Sequence, residues 1–119
     1  MQWALNKNHP LCPQLCHAIS VEISAGTFPP GARLPSVREV AAEAGVNPNT
    51  VQKAFAELER QRVIRSVRSV GWFVCDSTAP AREAVQVVMR EKTAEYFRSM
   101  RLLGLTAEEI QQYVKEWSE

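Results

Sequence analysis

The sequence predicts a mostly α-helical chain interrupted by one small β-hairpin. Three observations predict this. Apolar residues recur at helical spacing in five separate stretches. Two of those stretches open on a capping pattern, Ser36-x-x-Glu39 and Thr106-x-x-Glu109, in which each side chain satisfies a free backbone N–H of the other residue. Between Ile64 and Val74 the spacing changes to that of two short strands.

Taken in order, residues 1–9 read as an irregular lead-in. Pro10 can sit in the first turn of a helix, where its missing N–H costs nothing, and Pro13 is tolerated only in that same turn. Leu15, Ile19 and Ile23 then recur every four residues and Gly26 stops the run, so the first helix covers about 11–25. "FPPGARLP" reads as a loop, punctuated by Pro29, Pro30, Gly31 and Pro35. A short second helix follows Ser36, buries Val37, Val40 and Ala41, and ends at Gly45. In "GVNPNTVQKAF", Asn47 suits the N-cap and Pro48 the first helical position. Val51, Ala54, Phe55 and Leu58 form the inner stripe of this third helix, which runs to about Gln61.

Two short helices joined by a tight turn at Gly45-Val46 are the helix-turn-helix layout. Ile64 and Val67, then Trp72 and Val74, suit the two strands, with Arg68–Gly71 as their connection. A hairpin placed there makes the helix-turn-helix a winged one. Ser77, Thr78 and Pro80 announce a long helix over about 81–103, ended by Gly104. Its apolar stripe is Val85, Val88, Met89, Tyr96, Met100 and Leu103. A last helix carries Ile110, Tyr113, Val114 and Trp117 at helical spacing. The expected division is a DNA-binding domain over 1–76 and a helical dimerisation tail over 77–119.

Composition narrows the class. The chain has 119 residues, 45% hydrophobic and 23% charged, an ordinary globular balance. No stretch approaches the roughly 20 apolar residues that span a bilayer. Met1–Lys7 is too short and polar for a signal peptide, so a cytoplasmic protein without membrane partners is expected. Residues 1–75 hold eight Lys/Arg against five Asp/Glu, whereas residues 76–119 hold six against eight. The basic front favours an anionic partner. Two histidines, no metal-binding helix motif, no nucleophile elbow and no phosphate loop argue against an enzyme, and no cofactor is implied. Cys12 and Cys16 share a helix face with His17 beside them, which could begin a metal or redox site. Their spacing matches no standard finger, so core filling is the plainer reading.

The second helix of a helix-turn-helix lies in the major groove, with its front residues at base edges. Asn and Gln amides pair bidentately with adenine. Asn49, Thr50, Gln52 and Lys53 are therefore candidate contacts, with Asn47 engaged in capping. Arg38 at the front of the second helix and Arg33 in the loop before it can grip phosphate. Arg65 and Arg68 on the hairpin can place an arginine in the minor groove or simply make a basic strand edge.

From "PLCPQLCHAISVEISAGTFPPGARLPSVREVAAEAGVNPNTVQKAFAELERQRVI" through "RSVGWFV", about 10–75, the chain resembles the N-terminal domain of GntR-family bacterial transcription regulators. "PPGARLPSVREVA", followed at the right distance by "GVNPNTVQKAFAELE", is the most specific piece. The Asn-Pro-Asn-Thr version with a short two-helix tail is similar to the YtrA-type subgroup. The resemblance implies a winged-helix repressor that binds operator DNA as a homodimer, and kinship to regulators of transporter operons. It implies that Arg38 grips DNA, that Asn47, Pro48, Asn49, Thr50 and Gln52 form the reading end of the third helix, and that Arg68 and Ser69 lie at the wing tip. The sequence departs from the family's Arg-Gly-x-Gly-Thr-Phe wing at Ser69 and Trp72, and Cys12 replaces a usual aromatic residue.

Residues 76–119 are too few for the larger ligand-binding domains of other family members. Two such short amphipathic helices cannot bury both stripes against one small domain, but a second copy would cover them. Dimerisation through Val85, Met89, Tyr96, Met100, Leu103, Tyr113 and Trp117 is expected; the alternative is that the helices fold back on their own domain. A small-molecule effector is left open as a further partner. The competing functional reading is a winged-helix protein-interaction module without specific DNA binding. A small hydrolase or metal enzyme is a distant third.

Overall fold

The computed structural model describes residues 3–117. Met1 and Gln2 of the expected lead-in, and Ser118 and Glu119 of the expected tail, lie outside the described residues. Five helices and two strands follow in order: α1 (Leu11–Ser24), α2 (Val37–Ala44), α3 (Pro48–Arg60), β1 (Ile64–Val67), β2 (Gly71–Val74), α4 (Ala79–Arg101) and α5 (Ala107–Glu116). The chain divides into two compact units, one reaching Val85 and the other starting at Gln86.

Local chemistry sets the ends of the short helices. At α2, Glu39 N donates to Ser36 Oγ and Ser36 N to Glu39 Oε1, both at 3.1 Å, which completes the capping box. Gly45 ends α2 in the left-handed conformation, φ 68°, which costs a residue without a Cβ little. The chain therefore turns sharply and α3 can start three residues on, at Pro48. There Asn47 Oδ1 accepts from Asn49 N at 2.8 Å, with Pro48 in the first helical position. At the far end of α3 the same left-handed turn is made by Arg62, φ 64°, with Val63 N donating to Leu58 O and Arg62 N to Glu59 O. No glycine is present there, so this turn holds strain.

The inner stripes of three helices meet in one core. Leu15, Ile19 and Ile23 of α1, Val40 and Ala41 of α2, and Val51, Ala54, Phe55 and Leu58 of α3 are buried together with Leu34, Val63, Ile64, Val74 and Ala81. Phe55 meets Trp72 edge to face, ring centres 5.3 Å apart, which ties the hairpin to α3. Glu59 adds a polar link, accepting from Ser66 N at 3.0 Å and Ser66 Oγ at 2.8 Å. Those two bonds hold its carboxyl below the ordinary range.

β1 and β2 are antiparallel, with Ile64 opposite Val74, Arg65 opposite Phe73, Ser66 opposite Trp72 and Val67 opposite Gly71. Gly71 thus belongs to the second strand, and the connection is Arg68, Ser69 and Val70. The segment read from sequence as a plain loop is more ordered than that. Gly31 N donates to Val74 O, Val74 N to Ala32 O and Leu34 N to Trp72 O, at 2.8–3.0 Å, so Gly31–Leu34 lines the free edge of β2. The pairing supplies partners for an edge that a two-stranded hairpin leaves open.

In the second unit, Thr106 and Glu109 form the second capping box, at 3.0 and 3.2 Å. Ile110 is fully buried. Trp117 has extended backbone and caps α5 rather than continuing it. Tyr96, Phe97, Met100, Leu103, Tyr113 and Trp117 line an open apolar groove of about 1070 Å³. No helix among the described residues is long and apolar enough to cross a membrane.

Candidate nucleic-acid interface

The first turns of α3 present polar side chains to solvent because its apolar stripe faces the core. Asn47, Pro48, Asn49, Gln52 and Lys53 are exposed, Thr50 is half-buried and Val51 is fully buried. The two asparagines differ in chemistry. Asn47 commits its carbonyl oxygen to the backbone of α3, leaving its amide hydrogens and one lone pair of that oxygen free. Asn49 retains both a donor pair and an acceptor, the combination needed for bidentate contact with an adenine edge. Arg38 is exposed in the first turn of α2.

The wing contributes a second set. Val70 N donates to Val67 O at 3.0 Å and closes a turn through Arg68 and Ser69. Ser69 has φ 63°, the left-handed value favoured by glycine at the third position of such a turn. Serine there keeps the turn under strain. Arg68 and Ser69 are both exposed at this tip. Arg65 lies over the Phe73 ring, 5.4 Å from its centre. Arg33 is turned onto the wing: its Nη2 donates to Val70 O at 2.7 Å.

The lead-in supplies contacts that sequence reading missed. Lys7 Nζ donates to Gly45 O at 2.7 Å, bracing the turn of the helix-turn-helix. Trp3 packs against the core and its Nε1 donates to Glu43 Oε2 at 3.4 Å. Gln14 holds the segment in place, accepting from Asn6 N at 2.8 Å and donating to Asn6 O and Pro10 O at 2.9 Å. These bonds span up to 40 residues, and no spacing rule in the sequence marks them.

The cysteines pack as side chains of the core. Cys12 and Cys16 lie against the buried cluster, and the Cys16 thiol donates to Ala54 O at 3.4 Å. Burial, with Cys12 beside it, pushes the Cys16 thiol up to about 12. A thiol held protonated is a poor metal ligand and a poor nucleophile at neutral pH.

An exposed, amide-bearing helix start beside a basic wing defines a winged helix-turn-helix DNA-binding unit. Residues 13–74 match the family described as bacterial regulatory proteins, gntR family, and the chain belongs to that family. It is a helix-turn-helix transcription regulator, and its relatives are regulators rather than enzymes. It is 30% identical over 110 residues to the HTH-type transcriptional repressor YtrA of Bacillus subtilis, covering 92% of this chain and 85% of that protein. Its structure is similar to that of a GntR family transcriptional regulator from Listeria monocytogenes, with a TM-score of 0.82 and 32% identity over 96% of this chain and all of the other. The DNA-binding domain of AraR in complex with operator ORE1 is similar over 63% of this chain and 94% of its own, with a TM-score of 0.55 and 30% identity.

Proposed function

We propose that the protein is a homodimeric repressor that binds a palindromic operator. In this reading α3 enters the major groove, Asn49, Thr50 and Gln52 meet base edges, and Lys53 and Arg38 hold phosphates. Asn47 and Pro48 set the start of α3 at the groove, and the wing tip with Arg68 and Ser69 reaches the neighbouring minor groove. The exposed polar start of α3, with its amides unpaired except at the Asn47 cap, carries the proposal. Similarity to a protein named as a repressor and to a domain bound to operator DNA supports it.

The same reading assigns dimerisation to the second unit. Met89, Tyr96, Leu103, Tyr113 and Trp117 are 40–74% exposed in the single chain. Met100 is half-buried on α4, as is Val85, the last residue of the first unit and the one expected contact outside the second. A contiguous apolar surface of this kind marks an association site. A second copy would cover it and bring two α3 helices to two half-sites, so the operator would carry matching two-fold symmetry.

The test is a binding titration of the duplex upstream of the protein's own gene against random duplex, at several salt concentrations. A preference for the upstream duplex and a fall in affinity with salt are expected. Equal affinity for both duplexes would favour an interaction module instead. Asn49→Ala should relax sequence preference, whereas Arg38→Ala should weaken every duplex and lower the salt slope by about 1.

A further inference from the structure

The wing is held by an element outside the hairpin. Each strand has four residues, and a two-stranded hairpin of that size is marginal on its own. Its turn also carries a non-glycine residue, Ser69, at φ 63°. Something must fix this tip if it is to present Arg68 in one orientation.

Arg33 is placed to do so. It stands directly opposite Phe73 on the free edge of β2, so both side chains emerge on the same face. Gly71 shares that face, two residues before Phe73. A Cβ on Gly71 would lie 3.1 Å from Arg33 Nε and 3.3 Å from its Nη2, closer than ordinary contact allows. The missing side chain of Gly71 therefore lets the guanidinium lie this close to the strand. From there Nη2 reaches Val70 O at 2.7 Å, a charge-assisted bond to the last residue of the turn. Arg65 stacks on the far side of Phe73, so the face is a row of Arg33, Phe73 and Arg65.

We propose that Arg33 is a positioning residue for DNA binding: laid across Gly71 and bonded to Val70, it latches the wing turn that carries Arg68 and Ser69. It acts through the wing rather than by gripping phosphate itself. A side chain at position 71 would be strained at φ 149° and would press on the guanidinium, which would have to shift by a few tenths of an ångström. The proposal rests on the DNA-binding reading above.

Two measurements test it. In the free protein, Arg33→Ala should speed amide hydrogen exchange at Val70 by about tenfold, the size expected for losing one charge-assisted bond, while the exchange of α3 core amides stays as it was. On the upstream duplex, a double-mutant cycle with Arg68→Ala should be non-additive. Arg33→Ala should weaken binding in the wild-type background, and should change neither affinity nor salt slope once Arg68 is already alanine. Additive losses, with a further drop in slope, would show a direct phosphate contact and overturn the proposal. Unchanged exchange at Val70 would overturn the latch itself. A wild-type protein that binds no duplex would overturn the functional reading, and the exchange result would still decide on the latch.

Discussion

The two compact units treat the same kind of residue in opposite ways. In the first, the apolar stripes of α1, α2 and α3 close on each other, and of its large hydrophobic residues Val70 alone stands among the exposed ones described. In the second, Val87, Met89, Tyr96, Leu102, Leu103, Tyr113, Val114 and Trp117 are exposed, and Ile110 is the buried hydrophobic residue described. Three helices that cross can surround a common centre. A pair of helices has too little surface to bury both stripes in this way. The first unit carries its own stability, and we propose that the second acquires its stability by association.

The largest effect should come from the closed core. Phe55→Ala removes a fully buried ring that touches Trp72, and should cost about 3–5 kcal/mol in urea unfolding. If the units differ as described, Tyr113→Ala should change monomer stability by less than about 0.5 kcal/mol. Next, Leu103→Asp places a charge in the exposed stripe of the second unit. It should weaken self-association by about 2 kcal/mol or more in sedimentation equilibrium and leave the far-ultraviolet spectrum unchanged. A dimer of undiminished strength would break the comparison.

Smaller effects sharpen the account of the first unit. Ser36→Ala removes the cap of α2 and should cost about 1 kcal/mol. Arg62→Gly relieves the left-handed turn after α3 and should stabilise the protein by about 0.5–1 kcal/mol. Glu59 has a folded pKa lowered from its ordinary 4.5 by its bonds to Ser66. Its contribution is therefore present above that ordinary value and lost as pH falls through the lower folded one. Glu59→Gln should flatten the acid limb of the stability profile and leave the alkaline limb as it is.

The comparison also explains what could be read in advance. Ser36 with Glu39, Gly45, Asn47 with Pro48, and Thr106 with Glu109 act on backbone groups a few residues away. Such chemistry is visible in a string of residues, and with the helical spacing of apolar residues it placed the first four helices to within two residues at each end. The Asn49, Gln52 and Lys53 surface was legible for the same reason: helical spacing separates it from Val51, Ala54 and Phe55. The hairpin was legible too, although Gly71 proved to be part of its second strand.

Amino-acid order alone determined the helices, their caps, the turn at Gly45 and the identity of the side chains at the start of α3. All of these follow from interactions within about one helical turn. Tertiary structure decided where separated residues meet: Lys7 on Gly45 O, Trp3 on Glu43, Cys16 on Ala54 O, Gly31–Leu34 on the edge of β2, and Arg33 on Val70. Each pair is separated by 37–43 residues. A lysine, a tryptophan or an arginine has no preferred partner at that range until core packing brings one within reach, and the core is the sum of all the stripes together.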